Sequence, residues 1–146
     1  MEESISFLKK IQETFPGKSV DVRTYSPLAL AYIGDAVYDL IIRTVVVGRA
    51  NRPSGDLHRI AVKYVSATAQ AKIAQTLLDE FTEEEQAVYR RGKNAKPHTM
   101  AKNASAKEYL QATGLEAVFG YLYLTEQTDR ALNLVRLGLE KAGFEL

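Results

Sequence analysis

Leu28–Tyr38 reads LALAYIGDAVY, inside an apolar run that extends from Pro27 to Val47. Ser26 offers an N-cap and Pro27 stands at the first helical position, together a strong start signal. A helix from there to about Val47 would be roughly 30 Å long at 1.5 Å per residue. Because it is apolar on most of its circumference, it is expected to be the central helix, with the others packed around it. One acid, Asp35, follows Gly34 within this run. A carboxylate among such neighbours is costly to desolvate unless something cationic or hydrogen-bonding meets it.

Outward from this stretch, nearly every segment has helical periodicity, and none shows sustained alternation bounded by hairpin signals. Ile5, Leu8, Ile11 and Phe15 form a short helical stripe that ends near Pro16-Gly17, and residues 17–25 read as a connector. Gly48–Gly55 is a turn-forming interval. Ser54 or Asp56 is placed to cap a helix carrying Leu57, Ile60, Ala61 and Tyr64. Ser66 starts another, with Ala69, Ile73, Leu77 and Leu78 along one side. Thr82 and Glu85 make a capping box that opens a helix through Tyr89, and Ser105 with Glu108 makes a second. Between them, Gly92–Ala104 is expected to lack regular structure. The helix opened by Ser105 is expected to pause at Thr113-Gly114 and to resume over Leu115–Leu124. A last helix, about Asp129 to Ala142, sets Leu132, Val135, Leu139 and Ala142 on one side and stops at Gly143. The expectation is an all-α single domain spanning residues 1–146, a helical bundle around a central apolar helix.

Composition narrows the chemistry. The 146 residues include no cysteine, which removes disulfides, thiolate metal sites and a catalytic thiol. Only His58 and His98 are present, too few for a histidine-built zinc site. The opening residues, MEESISFLKK, do not form a secretory signal, and Asp35, Asp39 and Arg43 interrupt the apolar run too often for a membrane span. A cytoplasmic protein with no membrane partner is the expectation. The net charge of +1 is uninformative beside how the charge is distributed.

Two segments share one unusual composition: an apolar helix with a single carboxylate near a glycine. They are ALAYIGDAV around Asp35 and TGLEAVFGYL around Glu116. Gly34 and Gly120 each cost about 1 kcal/mol of helix propensity relative to alanine, so a packing reason is expected. Close approach of two helices at small residues would bring the two carboxylates together. Such a pair repels unless a proton or a divalent cation lies between them, and oxygen ligation suits Mg²⁺ or Mn²⁺. On spacing alone, each acid is more simply read as a solvent-edge residue, or as one paired with a base such as Arg43 or Arg136. Asp39 and Arg43 are an i, i+4 surface pair.

Between Glu85 and Glu108 there is no acid, while Arg90, Arg91, Lys93, Lys96, Lys102 and Lys107 lie within, with His98. Asn94, Thr99, Asn103 and Ser105 add groups suited to phosphate and ribose oxygens. This interval suits a nucleic-acid backbone better than base reading, and a solvated positive loop is the alternative.

Together these segments resemble the ribonuclease III family. LAYIGDAVYDL resembles its signature helix, with Asp35 at the position of the catalytic aspartate, and TGLEAVFGYLYL resembles the second catalytic segment, with Glu116 as its glutamate. YRRGKNAKPHTMAKN resembles the basic loop of the short branch, Mini-ribonuclease III, which lacks a double-stranded-RNA-binding domain, and with the sequence ending at Leu146 none is expected here. In the long-form enzymes, further acids precede the aspartate by seven and four residues and the glutamate by three. Here those positions are Leu28, Ala31 and Thr113. The resemblance implies an all-α, homodimeric endoribonuclease in which Asp35 and Glu116 hold Mg²⁺, with Mn²⁺ as a substitute. It further implies cleavage of double-stranded RNA to 5′-phosphate and 3′-hydroxyl ends, in maturation of the large-subunit (23S) ribosomal RNA precursor, with a ribosomal protein as a possible helper. Arg91, Lys93, Asn94, Lys96 and Lys102 would then contact RNA. Two other readings compete: a catalytically silent scaffold of the same fold that binds RNA or the ribosome, and a helical protein-interaction domain with no RNA role.

Overall fold

The computed structural model describes residues 6–18, 21–95 and 105–146, and among them it contains only helices and turns. Seven α-helices follow in order: α1 (Phe7–Thr14), α2 (Pro27–Arg49), α3 (Ser54–Val65), α4 (Ala67–Leu77), α5 (Glu83–Lys93), α6 (Ala106–Leu124) and α7 (Thr128–Lys141), with a 3₁₀ turn at Val22–Thr24. Most starts follow the capping chemistry of the sequence. Ser26, Ser66, Thr82 and Ser105 each accept a backbone N–H from the first turn of their helices, and the two capping boxes are both closed. Gly143, at φ 82°, ends the last helix as its composition suggested. Neither Ser54 nor Asp56 caps α3: Pro53 holds the N-cap position in extended backbone, Ser54 opens the helix, and Asp56 lies in the first turn, bonded to Arg59.

The central helix is α6, not α2. It packs against α2, α4, α5 and α7, and buries Leu115, Ala117, Val118, Phe119 and Leu122 almost completely. Although α2 is apolar nearly all round, it buries one face only: Leu30, Ala31, Gly34, Tyr38, Ile42 and Val46. Tyr32, Leu40 and Val47 lie on its exposed side. Tyr38 locks the buried face in place, stacking on Phe119 at 5.4 Å between centroids and donating its hydroxyl to the Tyr64 carbonyl at 2.6 Å.

Two helix boundaries differ from expectation for one reason. Helix α6 does not pause at Thr113-Gly114, and α5 runs past Tyr89 through Gly92 to Lys93. A Cβ on Gly114 would lie 2.8 Å from the Tyr89 ring, and one on Gly92 would lie 2.9 Å from the Ala117 Cβ. These glycines serve close packing of α5 on α6, so they do not act as breaks. Smaller departures follow from register. On α7 the buried side is Ala131, Leu134, Val135, Gly138 and Leu139, and Leu132 is exposed. Leu78 lies in the turn after α4 and is exposed, and in α1 only Leu8 is buried, with Ile11 and Phe15 exposed. Helix α5 is fastened to α7 by Arg130, which donates to both Glu85 oxygens at 2.8 and 2.9 Å and to the Glu80 carbonyl at 2.7 Å.

Candidate active site

The site begins with two backbones in contact. A Cβ on Gly34 would lie 1.7 Å from the Glu116 carbonyl oxygen, and a Cβ on Gly120 would lie 1.9 Å from the Leu30 carbonyl oxygen. Only glycine at both positions lets α2 and α6 cross this closely. Asp35 follows the first glycine and Glu116 lies one turn before the second, so the crossing sets the two carboxyl groups side by side.

Their surroundings differ. Asp35 is exposed, at the solvent edge of α2, whereas Glu116 is half-buried between α2 and α4. Burial first, and then the facing Asp35 carboxylate, push the Glu116 carboxyl up to about 8. Gln70, which is 2% exposed on α4, opposes that shift by donating its side-chain N–H to Glu116 Oε2 at 3.3 Å. The desolvation cost anticipated for Asp35 therefore falls on Glu116.

Basic partners do not resolve the tension. Arg43 turns to Asp39 at 2.9 Å, and among the described residues no ion pair reaches Asp35 or Glu116. Nor does a third histidine, cysteine or carboxylate join them, among the described residues, in a three-ligand cluster. Thr113, at the position of a missing acid, is buried and donates its hydroxyl to the Tyr109 carbonyl at 2.9 Å. The donor set is thus two carboxylates, all oxygen, with the more buried one driven towards protonation by its neighbour. That set fits a hard divalent cation, which would relieve the repulsion that now raises Glu116.

The first part of the basic interval is helical. Arg90, Arg91 and Lys93 form the last turn of α5, where cations also complement the carbonyl end of the helix. Arg91 is exposed and donates to the Tyr25 carbonyl at 3.3 Å; Lys93 is half-buried and Asn94 is the exposed C-cap. This end of α5 is held on the turn of α6 that carries Glu116: a Cβ on Gly92 would be 3.0 Å from Gly114 Cα and 3.3 Å from the Thr113 carbonyl oxygen. Lys96 and Lys102 lie outside the described residues. Sequence reasoning missed Gln70; a glutamine four residues after Ser66 carries no local signal of what it meets across the bundle.

This helical domain, whose central helix presents a glutamate to a Gly-Asp turn, is similar to known proteins in both sequence and fold. Residues 28–127 match the family model of the Ribonuclease III domain. Mini-ribonuclease 3 of Enterococcus faecalis is 46% identical over 125 residues, covering 84% of this chain and 95% of that protein. Mini-ribonuclease 3 of Symbiobacterium thermophilum is 50% identical over 107 residues, covering 73% and 82%. A crystal structure of a protein from Fusobacterium nucleatum superposes with a TM-score of 0.75 at 30% identity, covering 84% of this chain and 98% of the other. The chain belongs to the ribonuclease III family of endoribonucleases, in its Mini-ribonuclease 3 branch.

Proposed function

We propose that this protein is a divalent-metal-dependent endoribonuclease that cuts double-stranded RNA at the Asp35–Glu116 pair. The observation that carries the reading is the pairing itself: a half-buried glutamate, raised to about 8 by burial and by an aspartate across a glycine-lined crossing. Asp35 and Glu116 would hold Mg²⁺, or Mn²⁺ in its place. When bound, such a cation lowers the pKa of water and offsets the charge that develops on the attacked phosphate. The chain's residues have two further tasks. The glycine crossing holds the two carboxylates at a fixed spacing, and the cationic end of α5 grips the duplex backbone beside them through Arg91, Lys93 and Asn94, continued by Lys96 and Lys102. Family membership supports in-line cleavage leaving 5′-phosphate and 3′-hydroxyl ends.

The same membership supports a 23S ribosomal RNA precursor as the substrate in the cytoplasm, with a ribosomal protein as a possible helper. Among the described residues no helix is long and apolar enough to cross a membrane. The exposed Tyr32, Leu40 and Val47 on α2 support pairing of two copies as a homodimer. Sedimentation of the wild type beside Leu40→Asp tests this: a dimer that becomes a monomer is expected, and a monomeric wild type overturns it.

Cleavage of duplex RNA against a Mg²⁺ titration tests the activity. Asp35→Asn and Glu116→Gln are each expected to lower the rate at least about a hundredfold, the equivalent of roughly 2.7 kcal/mol of barrier. Full activity in either variant would remove the site assignment. Absence of metal-dependent cleavage by the wild type would favour the silent scaffold instead.

A further inference from the structure

We infer that Gln70 is a positioning residue that holds the Glu116 carboxylate in its metal-binding orientation; the inference rests on the proposed metal site and deepens it. Gln70 is one of four buried polar or charged residues among those described, and it lies in the fourth position of α4, well inside the core. Its side-chain nitrogen donates to two acceptors, the Val65 carbonyl oxygen at 2.9 Å and Glu116 Oε2 at 3.3 Å. The Val65 carbonyl can only accept, so the amide has one sensible orientation, with nitrogen towards it and oxygen away. Held this way, Gln70 ties the glutamate to the junction of α3 and α4, while the Gly34–Gly120 crossing ties it to α2.

The other half of the amide makes the case against a purely structural role. Gln70 Oε1 is the one buried side-chain oxygen or nitrogen among the described residues without a hydrogen-bond partner. A buried acceptor left unpaired opposes folding, and an apolar side chain of similar size would fill this place in the core without that cost. The bond to the Val65 carbonyl accounts for one use of the amide, and the unpaired oxygen is a cost that this bond alone does not explain. What the amide provides that methionine or leucine cannot is one donor group shared by Val65 and Glu116. Without it the carboxylate would be free to rotate out of register with Asp35.

The test uses the full chain and three readouts: melting temperature without metal, the dissociation constant for Mn²⁺ alone by calorimetry, and duplex cleavage resolved into half-saturating Mg²⁺ and KM for RNA. Gln70→Met keeps the volume and removes both donors. The expected result is Mn²⁺ binding weakened about tenfold or more, half-saturating Mg²⁺ raised to match, and KM for RNA unchanged, whatever the change in melting temperature from the lost Val65 bond. A lowered melting temperature with unaltered Mn²⁺ affinity would make Gln70 merely structural and overturn the inference. Should Gln70→Met fail to fold, Gln70→Asn carries the test, since it keeps an amide that is one methylene too short to reach both partners; wild-type Mn²⁺ affinity in that variant also overturns the inference. If the wild type binds Mn²⁺ and Asp35→Asn does not, the metal site stands whatever Gln70 does. If the wild type binds no Mn²⁺, the site and this role of Gln70 fall together.

Discussion

Glu116 experiences two opposing demands, and its protonation records them. Its carboxyl is raised to about 8 by burial and by Asp35, so without metal the folded chain binds a proton that the unfolded chain has released. The penalty for ionising Glu116 is absent below about pH 4.5 and grows as pH rises towards 8, so the metal-free protein should lose stability across that window. Urea unfolding at pH 5 and pH 8 checks this, and Glu116→Gln should flatten the difference. Mg²⁺ must displace the same proton, so its affinity should rise with pH up to about 8, with proton release on binding. Asp35 and Glu116 stand out in the sequence as lone acids near glycines in apolar helices, but spacing alone reads each as a solvent-edge or paired residue, and only the family resemblance joins them in one site. Gln70 does not stand out, because its meaning lies in an atom 46 positions away along the chain. The exposure difference between the two acids was equally hidden, since flanking residues report how apolar a helix is and not which face is covered.

Helix starts are local chemistry, and the serine and threonine caps marked four of them correctly. Glycines are different, since the same residue ends one helix and permits contact in another. Thr113-Gly114 looks like a break until Tyr89 is seen against it, and Gly92 looks like a loop until α6 is seen beneath it. Which helix is central was also misread from hydrophobicity, because α2 spends part of its apolar surface on an outer face. The contact glycines give a sharp prediction. Gly34→Ala or Gly120→Ala forces backbone against backbone and should cost about 3 kcal/mol or more in urea unfolding. Gly48→Ala, in the exposed last turns of the same α2 with open space around it, should instead stabilise by about 0.5–1 kcal/mol.

At the scale of the whole molecule, α5 joins the fold to the cationic surface. Its first turn is anchored by the Glu85–Arg130 pair, in which Glu85 is buried and its carboxyl is held below the usual range: burial raises it, but hydrogen bonds from Arg130 and Thr82 outweigh that. Arg130→Met leaves that charge unpaired and should destabilise by about 3 kcal/mol or more at pH 7. Because the Glu85 carboxyl is depressed, the loss should shrink as pH falls through its folded pKa. The last turn of α5 carries Arg90, Arg91 and Lys93. If these grip phosphates, Lys93→Ala should weaken duplex binding across all sequences and reduce the salt slope by about one unit; an unchanged slope would take Lys93 out of the contact. The glycine crossing between α2 and α6 has a consequence for how this protein can change over time. The separation of the backbones that carry its two acids is set by main chain resting on main chain. Apolar core positions off this crossing and off α4, such as Leu134 or Phe81, can therefore exchange for residues of similar volume for heat resistance without retuning the metal affinity. A library selected for thermal tolerance should vary at those positions while keeping Gly34 and Gly120 fixed.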